Sequence, residues 1–317
     1  MKPVLENTFT QEIMAGLQDD PKHLPSKYFY DEVGDRLFQK IMSLPEYYLT
    51  RTELQILEQN KAAIIKDFDP NNDGFDLLEL GAGDGLKTKV LLHELLLEKV
   101  NFTYKPLDIS LNALTGLKAN LQKEMQELPV EIIHGDYFDS LKKIKGNDRH
   151  KLILFLGSNI GNLTVPAATA FLKYLQENLN AQDGLLIGFD LKKDPAVILP
   201  AYNDSSGVTA AFNKNLLSRI NKELHANFNL NNFIHYPVYN PHTGTAKSYL
   251  VSTSAQSVYF QKLDVNIYFN AWESIHTEIS QKYSHPMILK MAKEAGLNLK
   301  EIYTDEKNYY ANYLFTV

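Results

Sequence analysis

The spacing of apolar residues divides the chain into three stretches. Between residues 75 and 191, short apolar runs alternate with segments of helical period. Runs at 75–80 (FDLLEL), 102–107, 130–134, 152–156 (LILFL) and 184–191 (GLLIGFDL) predict strands, and 87–97, 111–128 and 167–179 predict helices. A run that is apolar throughout, such as LILFL, suits a strand covered on both faces. Strands alternating with helices imply a mostly parallel sheet with right-handed crossovers.

The flanks follow other periods. Before residue 75 the pattern is helical, with aromatic residues dense between Tyr28 and Tyr48. Thr50 and Glu53 have capping-box spacing and predict a helix over about 51–68. After residue 191 the alternation stops. A helix is expected over 206–228, followed by period-two segments at 234–239, 246–253, 265–269 and 275–280, which read as an antiparallel sheet. A capped helix from Ser284 ends near Gly296, and strand-like runs at 297–303 and 309–317 close the chain. The expected class is α/β: a Rossmann-like core at 55–191 plus 283–317, with a second α+β domain at 1–54 plus 192–282.

Composition narrows the chemistry. The 317 residues are 44% hydrophobic and 22% charged, which excludes wholesale disorder. There is no cysteine, so disulfides, zinc ribbons, iron–sulfur clusters and thiol nucleophiles are excluded. The net charge of −6 weighs against a nucleic-acid partner. No apolar run reaches membrane-spanning length, and the acidic N-terminal segment lacks the pattern of a signal peptide. A cytoplasmic protein with no membrane partner and no obligate protein partner is expected. The nine histidines show no metal-ligand spacing, so no metal is assigned.

The strongest local motif is Glu79-Leu80-Gly81-Ala82-Gly83-Asp84-Gly85, directly after the first core strand. Glycines there let the backbone approach a ligand. The spacing is neither that of a dinucleotide fingerprint nor that of a phosphate loop. The acidic residue before the glycines suits the cationic end of a ligand. Asp108 and Asp136 fall at the next two strand ends, where they suit ribose hydroxyls and an adenine amino group. Each taken alone reads as a helix cap or turn residue. Together, in order, the three acids form the pattern of a class I S-adenosylmethionine methyltransferase. The fourth strand ends in Gly157-Ser158-Asn159-Ile160-Gly161-Asn162, where an asparagine can accept a hydrogen bond from an amine.

Four segments carry a more specific resemblance: PSKYFYD (25–31), LPEYYLTR (44–51), GSNIGN (157–162) and YND (202–204). Together they resemble the L-histidine Nα-methyltransferases of ergothioneine biosynthesis, over nearly the whole chain. The resemblance implies trimethylation of the α-amino group of histidine to hercynine, with S-adenosylmethionine as donor. It implies Gly81 and Lys87 beside the methionine moiety, Asp108 on the ribose, Asp136 with Tyr137 at the adenine, and Gly157 as a further cofactor contact. Around the substrate it implies Tyr47 and Asn162 at the reacting amine, Tyr202 on the carboxylate side, Tyr30 and Phe38 lining the pocket, and Glu278 with Ser280 on the imidazole. Residues i and i+2 of a strand share a face, so Glu278 and Ser280 suit the two ring nitrogens of histidine.

This chain departs from the family at Ser248, where the family often carries a methionine expected to pack on the substrate ring. The smaller side chain enlarges or wets the pocket. Two alternatives stand beside the histidine reading. One is an N-methyltransferase for another small amine or amino acid; the other is a non-catalytic S-adenosylmethionine-binding regulatory protein.

Overall fold

A computed structural model describes residues 8–69, 71–145 and 149–317. Residues 1–7 of the N-terminal segment read above for a leader lie outside the described residues. In chain order the helices are α1 (Thr8–Gln18), α2 (Glu32–Ser43), α3 (Tyr48–Phe68), α4 (Thr88–Leu97) and α5 (Leu111–Glu124). They continue with α6 (Tyr137–Ile144), α7 (Val165–Glu177), α8 (Pro195–Ile198), α9 (Val208–Leu224) and α10 (His285–Glu294). The first six strands are β1 (Phe75–Leu80), β2 (Phe102–Asp108), β3 (Ile133–His134), β4 (Lys151–Phe155), β5 (Gly184–Asp190) and β6 (Phe233–Asn240). The others are β7 (Thr245–Ser252), β8 (Gln256–Phe260), β9 (Val265–Phe269), β10 (Ser274–Gln281), β11 (Asn298–Thr304) and β12 (Tyr310–Thr316).

The chain divides into two compact units: 49–192 with 281–317, and 1–48 with 193–280. The first is built on a seven-stranded sheet in the order β11-β12-β5-β4-β1-β2-β3. β1, β2, β3, β4 and β5 pair in parallel, and β12 runs antiparallel to both β5 and β11. Every residue of β1, β4 and β5 is buried, as suits strands covered on both faces, including the charged residues Asp76, Glu79, Lys151 and Asp190. Leu78, Ile153 and Ile187 join one core cluster, while Leu77, Leu152 and Leu186 join another. Neighbouring positions on one strand thus feed two cores. The buried pair Lys282–Asp190, 2.7 Å apart, fixes the point where the chain re-enters this unit.

The second unit packs α1, α2 and α9 with small antiparallel elements around one apolar core that includes Phe29, Phe212, Phe233, Leu250 and Ile275. Its sheets are β10-β7-β6 and the hairpin β8-β9. β7 alternates strictly: Ala246, Ser248, Leu250 and Ser252 are buried, while Thr245, Lys247, Tyr249 and Val251 are only partly covered. Asp204 anchors α9. Its carboxylate accepts from the backbone N–H groups of Val208 (2.9 Å) and Thr209 (2.7 Å) and from the Ser206 hydroxyl (2.6 Å). Burial alone would raise this carboxyl, but these bonds outweigh it and hold the group well below the usual range.

Three local expectations are corrected. The long helix begins at Tyr48, so Thr50 and Glu53 lie inside its first turns and do not form a cap. The strand expected over 130–134 shrinks to Ile133–His134, with Val130 making only an isolated bridge to Tyr104. It lies at the sheet edge and follows Pro129, which has no N–H to donate. Strand β8 was not foreseen.

Candidate active site

In the larger unit the glycine turn after β1 adopts the left-handed conformations that its sequence suggests: φ is +74° at Gly81, +55° at Gly83 and +70° at Gly85. A Cβ on Gly81 would lie 2.7 Å from the Tyr137 hydroxyl, and φ +74° itself disfavours any side chain there. Glu79 is not turned toward a ligand. It is buried, and its two carboxylate oxygens accept from the Thr88 and Tyr104 hydroxyls. Burial raises its carboxyl to about 7, against the lowering effect of those two bonds and of Lys87. The motif's acidic residue therefore ties the turn to α4 and β2.

A second turn, at the end of β4, comes close to this one. Gly157 (φ +78°) donates its N–H to the Glu53 carboxylate at 2.8 Å, and the same oxygen takes the Lys87 ammonium at 2.6 Å. A Cβ on Gly157 would lie 3.1 Å from Lys87 Nζ and 3.7 Å from the Asn159 amide nitrogen. That amide is also 3.8 Å from a Cβ built on Gly81. Gly81, Lys87, Gly157 and Asn159 thus form one cradle, closed from behind by the fully buried Glu53. Glu53 in turn needs Gly188, where a Cβ would sit 2.2 Å from its carboxylate and 2.3 Å from the Tyr310 hydroxyl. Sequence reasoning missed Glu53 and Asn159. Glu53 carried a capping-box signal that pointed elsewhere, and its partners are 34 and 104 residues away.

Asp108 ends β2 and is half-buried; one carboxylate oxygen accepts from the Ser110 N–H at 2.9 Å. Asp136 is exposed and caps α6 by accepting from the Asp139 N–H at 3.0 Å. Tyr137 packs edge-on to Phe155, and its hydroxyl lies over Gly81. Burial, then Asp108 and Glu79, push that hydroxyl up to about 12, so it stays a hydrogen-bond donor at neutral pH. Asn162 is exposed at the end of the short helical turn Asn159–Asn162.

The remaining candidates all fall in the smaller unit. Tyr30, Phe38 and Tyr47 form a chain of edge-to-face rings, with centroids 5.6 Å and 6.2 Å apart. Phe212 on α9 backs Tyr30 and Phe38. Tyr30 is 45% exposed, yet its hydroxyl is pushed well up by desolvation and then by the charges of Glu278 and Asp35. The Tyr202 hydroxyl donates to Ser280 Oγ at 2.8 Å, and the Tyr202 carbonyl pairs with His235 Nε2 at 2.8 Å. Ser248 is buried, and its hydroxyl donates to the Glu278 carboxylate at 3.2 Å. The departure at Ser248 therefore gives Glu278 a polar partner.

The sheet order, with one antiparallel strand inserted beside β11, and the glycine cradle at the ends of β1 and β4 define a class I S-adenosylmethionine-dependent methyltransferase. The residues present fit that donor. The two glycine turns leave room for a ligand against the backbone, Lys87 offers a cation to a carboxylate, and Asp108 offers a carboxylate to a hydroxyl pair. Residues 9–317 match the model of a family described as histidine-specific, SAM-dependent methyltransferase, and the chain belongs to that family. It is 38% identical to the histidine N-alpha-methyltransferase of Mycolicibacterium smegmatis, covering 93% of this chain and 90% of that protein. Identity to the Mycobacterium tuberculosis protein of the same name is 36%, over 93% and 91%. Ergothioneine biosynthesis protein 1 of Schizosaccharomyces pombe is 30% identical over 92% of this chain and 39% of its own length.

Proposed function

We propose that this protein transfers methyl groups from S-adenosylmethionine to the α-amino nitrogen of free L-histidine, three times in succession, to give hercynine, the first step of ergothioneine biosynthesis. The observation that carries the reading is the polar set Glu278, Ser248, Ser280 and Tyr202 in the same unit as the ring wall Tyr30-Phe38-Tyr47. A carboxylate and a hydroxyl suit the two nitrogens of an imidazole, and family membership supports histidine as the amino acid.

The donor supplies an electrophilic methyl on a sulfonium with a good leaving group. The task left to the protein is positioning and proton removal. Lys87 holds the donor's carboxylate end, Asp108 the ribose, and Asp136 with Tyr137 the adenine. Gly81 and Gly157 let the backbone close around it. Asn162 and Tyr47 orient the amine once it has lost its proton, and Tyr202 serves the carboxylate side. As methyl groups accumulate, the nitrogen becomes a permanent cation, which the faces of Tyr30, Phe38 and Tyr47 stabilise without requiring a counter-charge. A cytoplasmic setting fits this chemistry, and no helix among the described residues is long and apolar enough to cross a membrane. The test is transfer from a donor labelled on the methyl carbon, with NMR of the product. Label on the α-nitrogen supports the reading, and label on the imidazole contradicts it.

A further inference from the structure

The smaller unit carries a cavity lined by none of the residues assigned above. The sheet β10-β7-β6 buries one face in the core, and the other face is open. On that open face Ile234 pairs with Val251 and Tyr236 with Tyr249, while His276 lies 5.4 Å from the Tyr249 ring. The segment Lys22–Leu24 runs along β10, bonded through the His276 N–H to the Lys22 carbonyl (2.9 Å) and the Leu24 N–H to the His276 carbonyl (2.8 Å), and walls one side. Trp272 forms the rim. The groove is open to solvent, with a volume of about 900 Å³. Lys247 follows the opposite face of β7 from its neighbour Ser248, and neither Ser248 nor Glu278 lines this cavity.

Three features point to a ligand. Tyr236, Ile234 and Trp272 are 55%, 42% and 70% exposed, a cluster of apolar surface in a concavity. Trp272 also has φ +67°, a strained conformation for a bulky side chain, and it gains no core packing in return. The third feature is charge. Lys22 is paired with Glu273, and Asp19 lies 3.8 Å from His23, a contact that is an ion pair only when the imidazole is protonated. Lys247 makes no ion pair among the described residues. His276 is held neutral by burial and by the charge of Lys247, and its buried Nε2 has no partner.

Lys247, set among aromatic walls, suits one negative charge on a flat ring. We propose that this cavity binds a small aromatic carboxylate, its ring against Tyr236, Tyr249 and Trp272 and its carboxylate at Lys247. A multiply charged nucleotide would find too few cations here, and an aliphatic acid would leave the aromatic walls without a partner.

Trp272 is the only tryptophan of the chain, so selectively excited tryptophan emission reports on this cavity. The full-length protein is titrated with 4-hydroxyphenylacetate and, separately, with its uncharged amide. The expected result is a saturable emission change, with the acid binding about 2- to 5-fold more tightly than the amide, the scale of a partly exposed ion pair. Lys247→Met should abolish that preference while leaving histidine methylation intact. Tyr236→Ala should weaken both ligands. No saturable change, or an acid preference that survives Lys247→Met, overturns the proposal. So does an emission change that depends on protein concentration without ligand and accompanies a doubled mass in solution, because the face is then covered by a second copy.

Discussion

Replacing Glu79 with glutamine tests whether the glycine turn is anchored by a carboxyl that resists ionisation. Glu79 titrates at about 7 in the folded protein, against 4.5 for an ordinary glutamate. At about 1.4 kcal/mol per tenfold change in proton affinity, that gap is worth about 3 kcal/mol. Below pH 4.5 the carboxyl is protonated whether the chain is folded or not, and the full stability is present. As pH rises through 7, the folded protein must carry a buried carboxylate that the unfolded chain hydrates freely, and the stability is lost. Glutamine keeps the shape. Its amide can accept from one of the Thr88 and Tyr104 hydroxyls and donate to the other, since a hydroxyl serves either role. Glu79→Gln should therefore match the wild type within about 1 kcal/mol at pH 4.5 and exceed it by up to about 3 kcal/mol at pH 8. Urea unfolding followed by circular dichroism, on both proteins across that range, reads the difference, and the other titrating groups cancel. If the two units unfold in separate steps, only the transition of the larger one should respond. A stability difference that stays constant with pH would refute the reasoning.

Other substitutions separate the roles. Asp108→Ala should weaken S-adenosylmethionine binding by about 1–3 kcal/mol, the cost of leaving a hydroxyl pair without its acceptor. Calorimetry showing unchanged affinity removes Asp108 from the site. Asp204→Asn sets an amide donor against backbone donors at the start of α9 and should cost about 1–3 kcal/mol at pH 7. Because the folded carboxyl is held low, wild-type stability from this group is present above pH 3.8 and lost as pH falls through its folded value. The gap between variant and wild type should therefore close in acid; a gap that widens would contradict the assignment. Glu278→Ala should lower kcat/KM for histidine by roughly 5- to 150-fold while sparing tryptophan, whereas Asn162→Ala should lower turnover of both. Equal losses for the two substrates with Glu278→Ala would make Glu278 structural.

The core was legible because strands covered on both faces favour short, mostly apolar runs. FDLLEL, LILFL and GLLIGFD are such runs, and they alternate with segments of helical period. The glycine turn was legible for a related reason, since three positive φ values in five residues demand glycine. Tertiary contacts were harder. Thr50 and Glu53 have the spacing of a cap, but Glu53 serves Lys87 and Gly157 instead, and nothing local reveals a partner 104 residues away. Strand β8 (QSVYF) was missed because it opens on two polar residues, whereas its equally long partner β9 (VNIYF) opens on an apolar one. Ser248 was read as a loss of packing. Its bond to Glu278 depends on the pairing of distant strands, which a single sequence does not display.

The central claim is the identity of the amine. It is tested most directly by incubating the protein with S-adenosylmethionine and an equimolar mixture of the common amino acids, then following every component by mass spectrometry. The account predicts that histidine is consumed ahead of every other amino acid, gains three methyl groups on its α-nitrogen, and releases three S-adenosylhomocysteine molecules for each product. Histidine left unmodified while another amine is methylated, or no turnover by a protein that binds the donor, would contradict it.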